Sequence, residues 1–329
     1  MAITGLLVLG LLFILAVATR LGSVLLDRHY PPTGAFIEAG GLRLHVIDRG
    51  PRSSEAIVLI HGASSNALDV DRAMGGPLAQ RFRVVSIDRP GHGHSERGVD
   101  MDTPAAQARL LRTALRRVGV ERAVLVGHSY GTAVAAALAL EDPMLAIGMV
   151  LIAPATHPWP GGGISWHNRL AAVPFAGPAF TAFFTLPLGW LVMDNAVTGS
   201  FRPDPAPENY SKASAIPLIL RPATFVANAK DLVSLLPAVK EMQPNYGRLP
   251  RGMLVISGTT DPVVAPSIHT EGMVRDAPGA RVMWLEGVGH MPHWSRFSGQ
   301  VIDAIAEEAR AHLSGTVQPA PVPSGLPSR

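Results

Sequence analysis

The sequence predicts an α/β protein in which a mostly parallel sheet carries helices on both faces and a helical cap is inserted into its second half. Three observations carry this reading. Short apolar runs alternate with longer helical segments over residues 34–153 and again over 247–313, the pattern of strands linked by helical crossovers. Between these stretches, residues 154–246 are rich in proline, glycine and aromatics and hold helix-like pieces without a clear strand. Finally, Gly127-His128-Ser129-Tyr130-Gly131 reads G-x-S-x-G and joins the apolar run Arg122–Val126 to the alanine- and leucine-rich segment Thr132–Leu140. Strand, sharp turn and helix is the setting in which this motif lifts a serine to the C-terminal edge of a sheet, facing a helix N-terminus.

The elements follow in order. Ala35–Ala39 and Leu42–Asp48 read as two strands around Gly40-Gly41, a hairpin signal. Ala56–Ile60 and Val84–Ile87 are short, wholly apolar or nearly so, and suit buried parallel strands. Thr103–Val118 is an amphipathic helix with Leu110, Leu111, Leu115 and Val118 on one side. The strand at 122–126 is followed by a helix from about Tyr130, and Ile147–Ala153 is the next strand. After the cap, Met253–Ser257 restores the pattern. A helix near Pro266–Arg275, a strand at Arg281–Leu285 and a helix near Phe297–Leu313 complete it. Residues 314–329 are mostly Pro, Ser, Gly and Val and read as a disordered tail.

A chain of 329 residues with 47% apolar and 16% charged residues buries a large core in one domain with an insertion. Its 25 arginines and three lysines are scattered, the net charge is only +3, and no basic run or basic–aromatic stripe supports nucleic-acid binding. The absence of cysteine excludes disulfides, thiolate metal sites and a cysteine nucleophile. No cofactor is expected. No metal is expected either, because neither His61, His92 and His94 nor His290 and His293 come with an acidic ligand set.

Residues 2–19 are uncharged, dominated by Leu, Val, Ile and Phe, and end at Arg20. As a helix they span about 27 Å, enough for a bilayer core. The favoured reading is an uncleaved anchor through which the protein meets the membrane. The alternatives are a signal peptide cleaved after Ala16-Val17-Ala18, which leaves a secreted or periplasmic product, and a buried soluble helix. Arg20 and Arg28 follow the segment and none precedes it, a small bias toward a cytoplasmic domain. Residues 21–33, ending in Pro31-Pro32, read as a linker.

A serine hydroxyl near neutral pH needs a histidine to take its proton and a carboxylate to orient that histidine. In a parallel sheet these partners come from loops at the C-terminal ends of later strands. Asp261 follows the strand at 253–257, and His290 follows the strand at 281–285, in the order Ser, Asp, His. His293 is an alternative base. Asp231 is an alternative acid, although its place in a helix points it toward solvent or a neighbouring cap group. The oxyanion needs two converging N–H groups. Tyr130 offers one from a helix N-terminus and Ala63, after His61-Gly62, the second; His61 is expected to brace that loop.

Taken together, His61-Gly62-Ala63, Asp88-Arg89-Pro90-Gly91-His92-Gly93-His94-Ser95, Gly127 to Gly131, Gly258 to Val264 and Gly287-Val288-Gly289-His290 resemble the α/β-hydrolase superfamily over roughly residues 34–313. The N-terminal apolar segment and Pro-Pro also resemble the membrane-tethered bacterial hydrolases of that superfamily. The resemblance implies an eight-stranded-type sheet, Ser129 as nucleophile, Asp261 as acid, His290 as base, and Ala63 and Tyr130 as oxyanion donors. Residues 88–95 are a structural turn in the family. Serine at the nucleophile position speaks against dehalogenase and epoxide-hydrolase chemistry. The expected substrate is a small-molecule carboxylic ester with a lipophilic acyl or alcohol group. Carbon–carbon bond hydrolysis, cofactor-free peroxidation and a non-catalytic binding role are the alternatives. Of Trp159, Trp166, Phe175, Phe180, Phe183, Phe184 and Trp190 in the cap, most are expected to glue it to the core and about two to face substrate.

Overall fold

A computed structural model describes residues 1–53 and 55–313; the expected tail at 314–329 lies outside the described residues. Its strands are β1 (Ala35–Ala39), β2 (Leu42–Arg49), β3 (Glu55–Ile60), β4 (Val84–Ile87), β5 (Arg122–His128), β6 (Ala146–Ile152), β7 (Leu254–Gly258) and β8 (Arg281–Leu285). They form one sheet in the order β1-β2-β4-β3-β5-β6-β7-β8. β1 and β2 pair antiparallel, as do β2 and β4; every other pair is parallel. The β1–β2 hairpin turns through Gly40 and Gly41, both at positive φ, which suits a two-residue turn that only such residues enter cheaply.

The helices are α1 (Ala2–His29), α2 (Ala67–Val70), α3 (Gly76–Leu78), α4 (Pro104–Arg117), α5 (Tyr130–Glu141), α6 (Trp166–Ala172), α7 (Ala176–Phe201), α8 (Tyr210–Ala213), α9 (Pro222–Met242), α10 (Pro266–Asp276) and α11 (Ser298–Leu313). Alternation along β5 shows how the sheet is covered. Ala123 and Leu125 face a core built with α4, α5, α9 and α10, while Val124 and Val126 face the opposite core with α2, α3 and α11. Buried on both faces, the central strands need the near-continuous apolar runs that the sequence displays.

Between β6 and β7 the chain is helical, and α6, α7 and α9 pack on one another over the C-terminal edge of the sheet. One boundary differs from expectation. The N-terminal helix does not stop near Thr19 but runs on to His29 through the expected linker. Residues 20–29 contain no proline, and Leu26 is buried with Leu218 and Leu220, so the second half of the helix is held by tertiary contacts. Pro31 and Pro32 then end it.

Candidate active site

Ser129 stands between β5 and α5 with φ 51° and ψ −122°, a positive-φ conformation that a side-chain-bearing residue enters only under constraint. The constraint is close packing. A Cβ on Gly131 would lie 2.2 Å from the carbonyl oxygen of Ile60, and one on Gly127 would lie 2.6 Å from that of Gly131. Glycine on both sides lets the turn press against the end of β3, and the serine is thereby raised into an open cavity.

The three residues that sequence reasoning set at strand ends meet there. Asp261 follows β7, and its Oδ1 accepts the N–H groups of Val263 and Val264 at 2.8 and 3.0 Å. Its Oδ2 lies 2.8 Å from His290 Nδ1, and His290 Nε2 lies 2.9 Å from Ser129 Oγ. Burial pushes the Asp261 carboxyl up, but the His290 ring and the two amides outweigh it and hold the group below the usual carboxylate range. An ionised Asp261 can only accept, so His290 carries its proton on Nδ1 and turns the Nε2 lone pair toward the serine hydroxyl. The neighbouring His128 donates Nε2–H to the His290 carbonyl at 3.0 Å and, with its own pKa lowered to about 3 by burial and by His290, stays neutral.

The alternative partners are elsewhere. His293 is fully buried with its ring 4.4 Å from that of His128, and neither nitrogen has a hydrogen-bond partner. Asp231 does not face solvent: it is completely buried on α9 and binds Arg89 and Arg97. The helix turns this residue inward because Arg89, in the turn after β4, needs a counter-charge where water is excluded.

Ala63 and Tyr130 flank Ser129 on the cavity wall. Their turns are braced from beneath. The Arg89 N–H donates to His61 Nε2 at 3.0 Å, which leaves the proton on Nδ1 to bond the Gly62 carbonyl at 2.8 Å. The Arg89 guanidinium donates to the carbonyls of His61 and Gly62 at 3.1 and 3.0 Å and stacks 4.4 Å from the centre of the Tyr130 ring. From the cap, Asn228 Oδ1 accepts the Ser64 N–H at 2.7 Å. Asn228 thus grips the loop that carries Ala63 directly, and Asp231, one helical turn on, grips it through Arg89. Sequence reasoning missed Asn228, which nothing local marks, and placed Arg89 in a structural turn without foreseeing its partners, because these lie far away in the chain.

The cavity has a volume of about 750 Å³ and is walled mainly by apolar residues of α7, α9 and the loops after β6 and β7. No Lys or Arg is among its described lining residues, and Asp69 is their one carboxylate. Burial raises the Asp69 pKa, while Ser65 Oγ and Trp294 Nε1 donate to it at 2.6 and 2.9 Å. Of the seven cap aromatics considered from the sequence, only Trp159 lines the cavity. Trp166, Phe175 and Trp190 are exposed rather than packed on the core.

Comparison with known proteins places the chain. Residues 57–304 match the sequence profile of the alpha/beta hydrolase family. The chain belongs to this family. An uncharacterized protein of Mycobacterium tuberculosis is 29% identical over 283 residues, covering 80% of this chain and 77% of the relative. A 2-hydroxy-6-oxo-6-phenylhexa-2,4-dienoate hydrolase of Burkholderia cepacia is 24% identical over 277 residues, 80% of this chain and 91% of the relative. Among solved structures, a thermophilic esterase of Thermogutta terrifontis superposes on this α/β-hydrolase with a TM-score of 0.65 at 24% identity, covering 84% of this chain and 98% of that one. A dienoate hydrolase is therefore among the sequence relatives of this α/β-hydrolase, and an esterase shares its fold.

Proposed function

We propose that this α/β-hydrolase cleaves uncharged carboxylic esters with a lipophilic acyl or alcohol group. The observation that carries the reading is the hydrogen-bonded chain Ser129–His290–Asp261 opening into an apolar cavity without a cation. Ser129 Oγ attacks the ester carbonyl carbon as its proton passes to His290 Nε2. The N–H groups of Ala63 and Tyr130 are the donors assigned to the oxyanion. Collapse of the tetrahedral species breaks the carbon–oxygen bond, and His290 returns the proton to the departing alcohol. Water, deprotonated by the same nitrogen, then releases the acid and restores Ser129. Asp261 holds the ring in the required tautomer and stabilises its charged form.

Carbon–carbon bond hydrolysis is the second reading, favoured by the dienoate hydrolase relative. A dienoate carries a carboxylate, which the lining described here meets with no Lys or Arg. A neutral ester suits the cavity better. The N-terminal apolar helix supports attachment to a membrane through residues 2–19.

The experiment is labelling by a fluorophosphonate, read by mass spectrometry, followed by product analysis on ester and diketone panels. Label on Ser129 with turnover of esters is the expected result. Turnover of diketones alone establishes the second reading, and label elsewhere removes the first.

A further inference from the structure

An apolar helix on a water-soluble domain has one of two designs. Either it is amphipathic, with charges on its outer side, or it is apolar all round and enclosed by protein. α7 has neither. From Ala176 to Met193 it contains no charged residue, yet it lies on the outside of the cap. Leu188, Trp190 and Leu191 are all exposed, Trp190 by 52% and Leu191 by 76%, and Phe175 just before the helix by 91%. Water is a poor neighbour for such a surface.

α1 indicates what covers it. This helix is packed on α7 and on the short turn at 216–220. Its less exposed positions recur at intervals of three and four from Leu12 to Leu26. Ala16, Thr19, Gly22 and Ser23 are small, and they let α7 come close: a Cβ on Gly22 would lie 2.8 Å from Leu186. The packed stretch overlaps the uncharged run of residues 2–19, so the depth at which α1 needs lipid is also a depth at which α7 lies beside it. Lipid that covers the outer side of α1 continues onto α7. Another side of α7 faces inward: Gly189, Val192, Met193, Ala196 and Val197 line the cavity that contains Ser129.

We propose that α7 is a second membrane-contacting element, seated in the bilayer interface beside α1, and that the cavity receives its substrate from the bilayer past this helix. The substrate class is then a membrane-dissolved ester rather than a water-borne one. The membrane contact stands on the two helices, whereas the substrate class rests on the ester-hydrolase reading above. Trp190, with an apolar ring and a polar N–H, suits the interface, and Pro187 lies inside the helix next to this exposed segment.

The test uses the full chain in phosphatidylcholine vesicles with brominated acyl chains, read by tryptophan fluorescence. Bromine is expected to quench part of the emission, and the quenched part to shrink in Trp190→Phe and Trp166→Phe but not in Trp284→Phe, whose ring lies on the edge strand β8. Unchanged quenching in both cap variants overturns the proposal, as does failure of the full chain to float with the vesicles. The double variant Leu188→Glu/Leu191→Glu is expected to slow hydrolysis of a vesicle-embedded long-chain ester on the order of tenfold while a water-soluble short ester is cleaved as before. Equal rates on the embedded ester overturn the substrate route. Should the double variant instead turn a detergent-solubilised dimer into a monomer while quenching stays the same, the face is an interface between copies and the proposal fails. Loss of every ester activity in the wild-type chain removes the ester reading, and the fluorescence still decides the membrane contact.

Discussion

Arg89 and Asp231 form an ion pair in which both side chains are fully buried, with Nη1 2.6 Å from Oδ2. The pair joins the turn after β4 to the cap helix α9. The same guanidinium bonds the carbonyls of His61 and Gly62 and stacks on Tyr130, so both turns assigned to the oxyanion hang on a charge whose partner lies in the cap. Removing one member of such a pair strands the other without water. Asp231→Ala is expected to cost about 3–5 kcal/mol in a denaturation experiment. Asp102→Ala, which removes the partly exposed partner of Arg97, is expected to cost about 1 kcal/mol or less. Equal stability of the two variants contradicts this account.

The same pair shows where sequence reasoning stops. Strands, their order of use and the elbow were legible because apolar runs, glycines and the Ser–Asp–His order are local patterns. Ser129, Asp261 and His290 each follow a strand, and a parallel sheet brings such positions to one edge. Asp231 gave no comparable signal. In sequence it is a helical acid next to a lysine, and only the fold sets it against Arg89. The cap aromatics illustrate the opposite error: as a residue type they suit a core, but Phe175 and Trp190 face outward, a choice that composition does not encode. The end of α1 was hidden for a related reason, since residues 20–29 are held by contacts with chain more than 150 residues away.

Buried histidines make stability depend on pH. Burial, helped at His61 and His92 by the Arg89 guanidinium and at the others by neighbouring imidazoles, holds His61, His92 and His293 well below the usual value of about 6.5, His128 at about 3 and His269 at about 4. These rings are neutral in the fold and protonate in the unfolded chain, so the unfolded state takes up protons as the pH falls below about 6.5. Their contribution is complete above that value and is lost progressively down to each folded pKa. Each adds a slope of up to about 1.4 kcal/mol per pH unit. Denaturation between pH 8 and pH 5 should show the steep loss. His293→Leu should flatten it by about one proton and leave stability at pH 8 equal or higher, because neither ring nitrogen has a partner. An unchanged slope in that variant argues against a neutral His293.

The cavity makes a prediction about chain length. Each methylene that enters its apolar lining should add up to about 0.8 kcal/mol, close to a fourfold gain in kcat/KM, until the roughly 750 Å³ is filled. Specificity constants should therefore climb from acetyl toward octanoyl esters of one alcohol. A flat series removes the lipophilic pocket from the account.

Ser129, His290 and Asp261 should fail as a unit. Ser129 Oγ lies 2.9 Å from His290 Nε2 and His290 Nδ1 2.8 Å from Asp261 Oδ2, so each proton transfer of the proposed mechanism needs all three in place. Ser129→Ala and His290→Ala are each expected to lower kcat by about 10⁶, with the double variant scarcely worse, since the second deletion removes a function already lost. Asp261→Asn should cost less, on the order of 10⁴: the ring remains but its Nδ1–H loses the acceptor that fixes the tautomer. His293→Ala provides the contrast, because it deletes a ring that touches His128 and not Ser129, and turnover should fall only slightly. If His293→Ala abolishes ester hydrolysis while His290→Ala spares it, the base has been misassigned. If Ser129→Ala keeps full activity in folded protein, catalysis does not pass through the elbow serine, and the hydrogen-bonded chain beneath the cavity has another purpose.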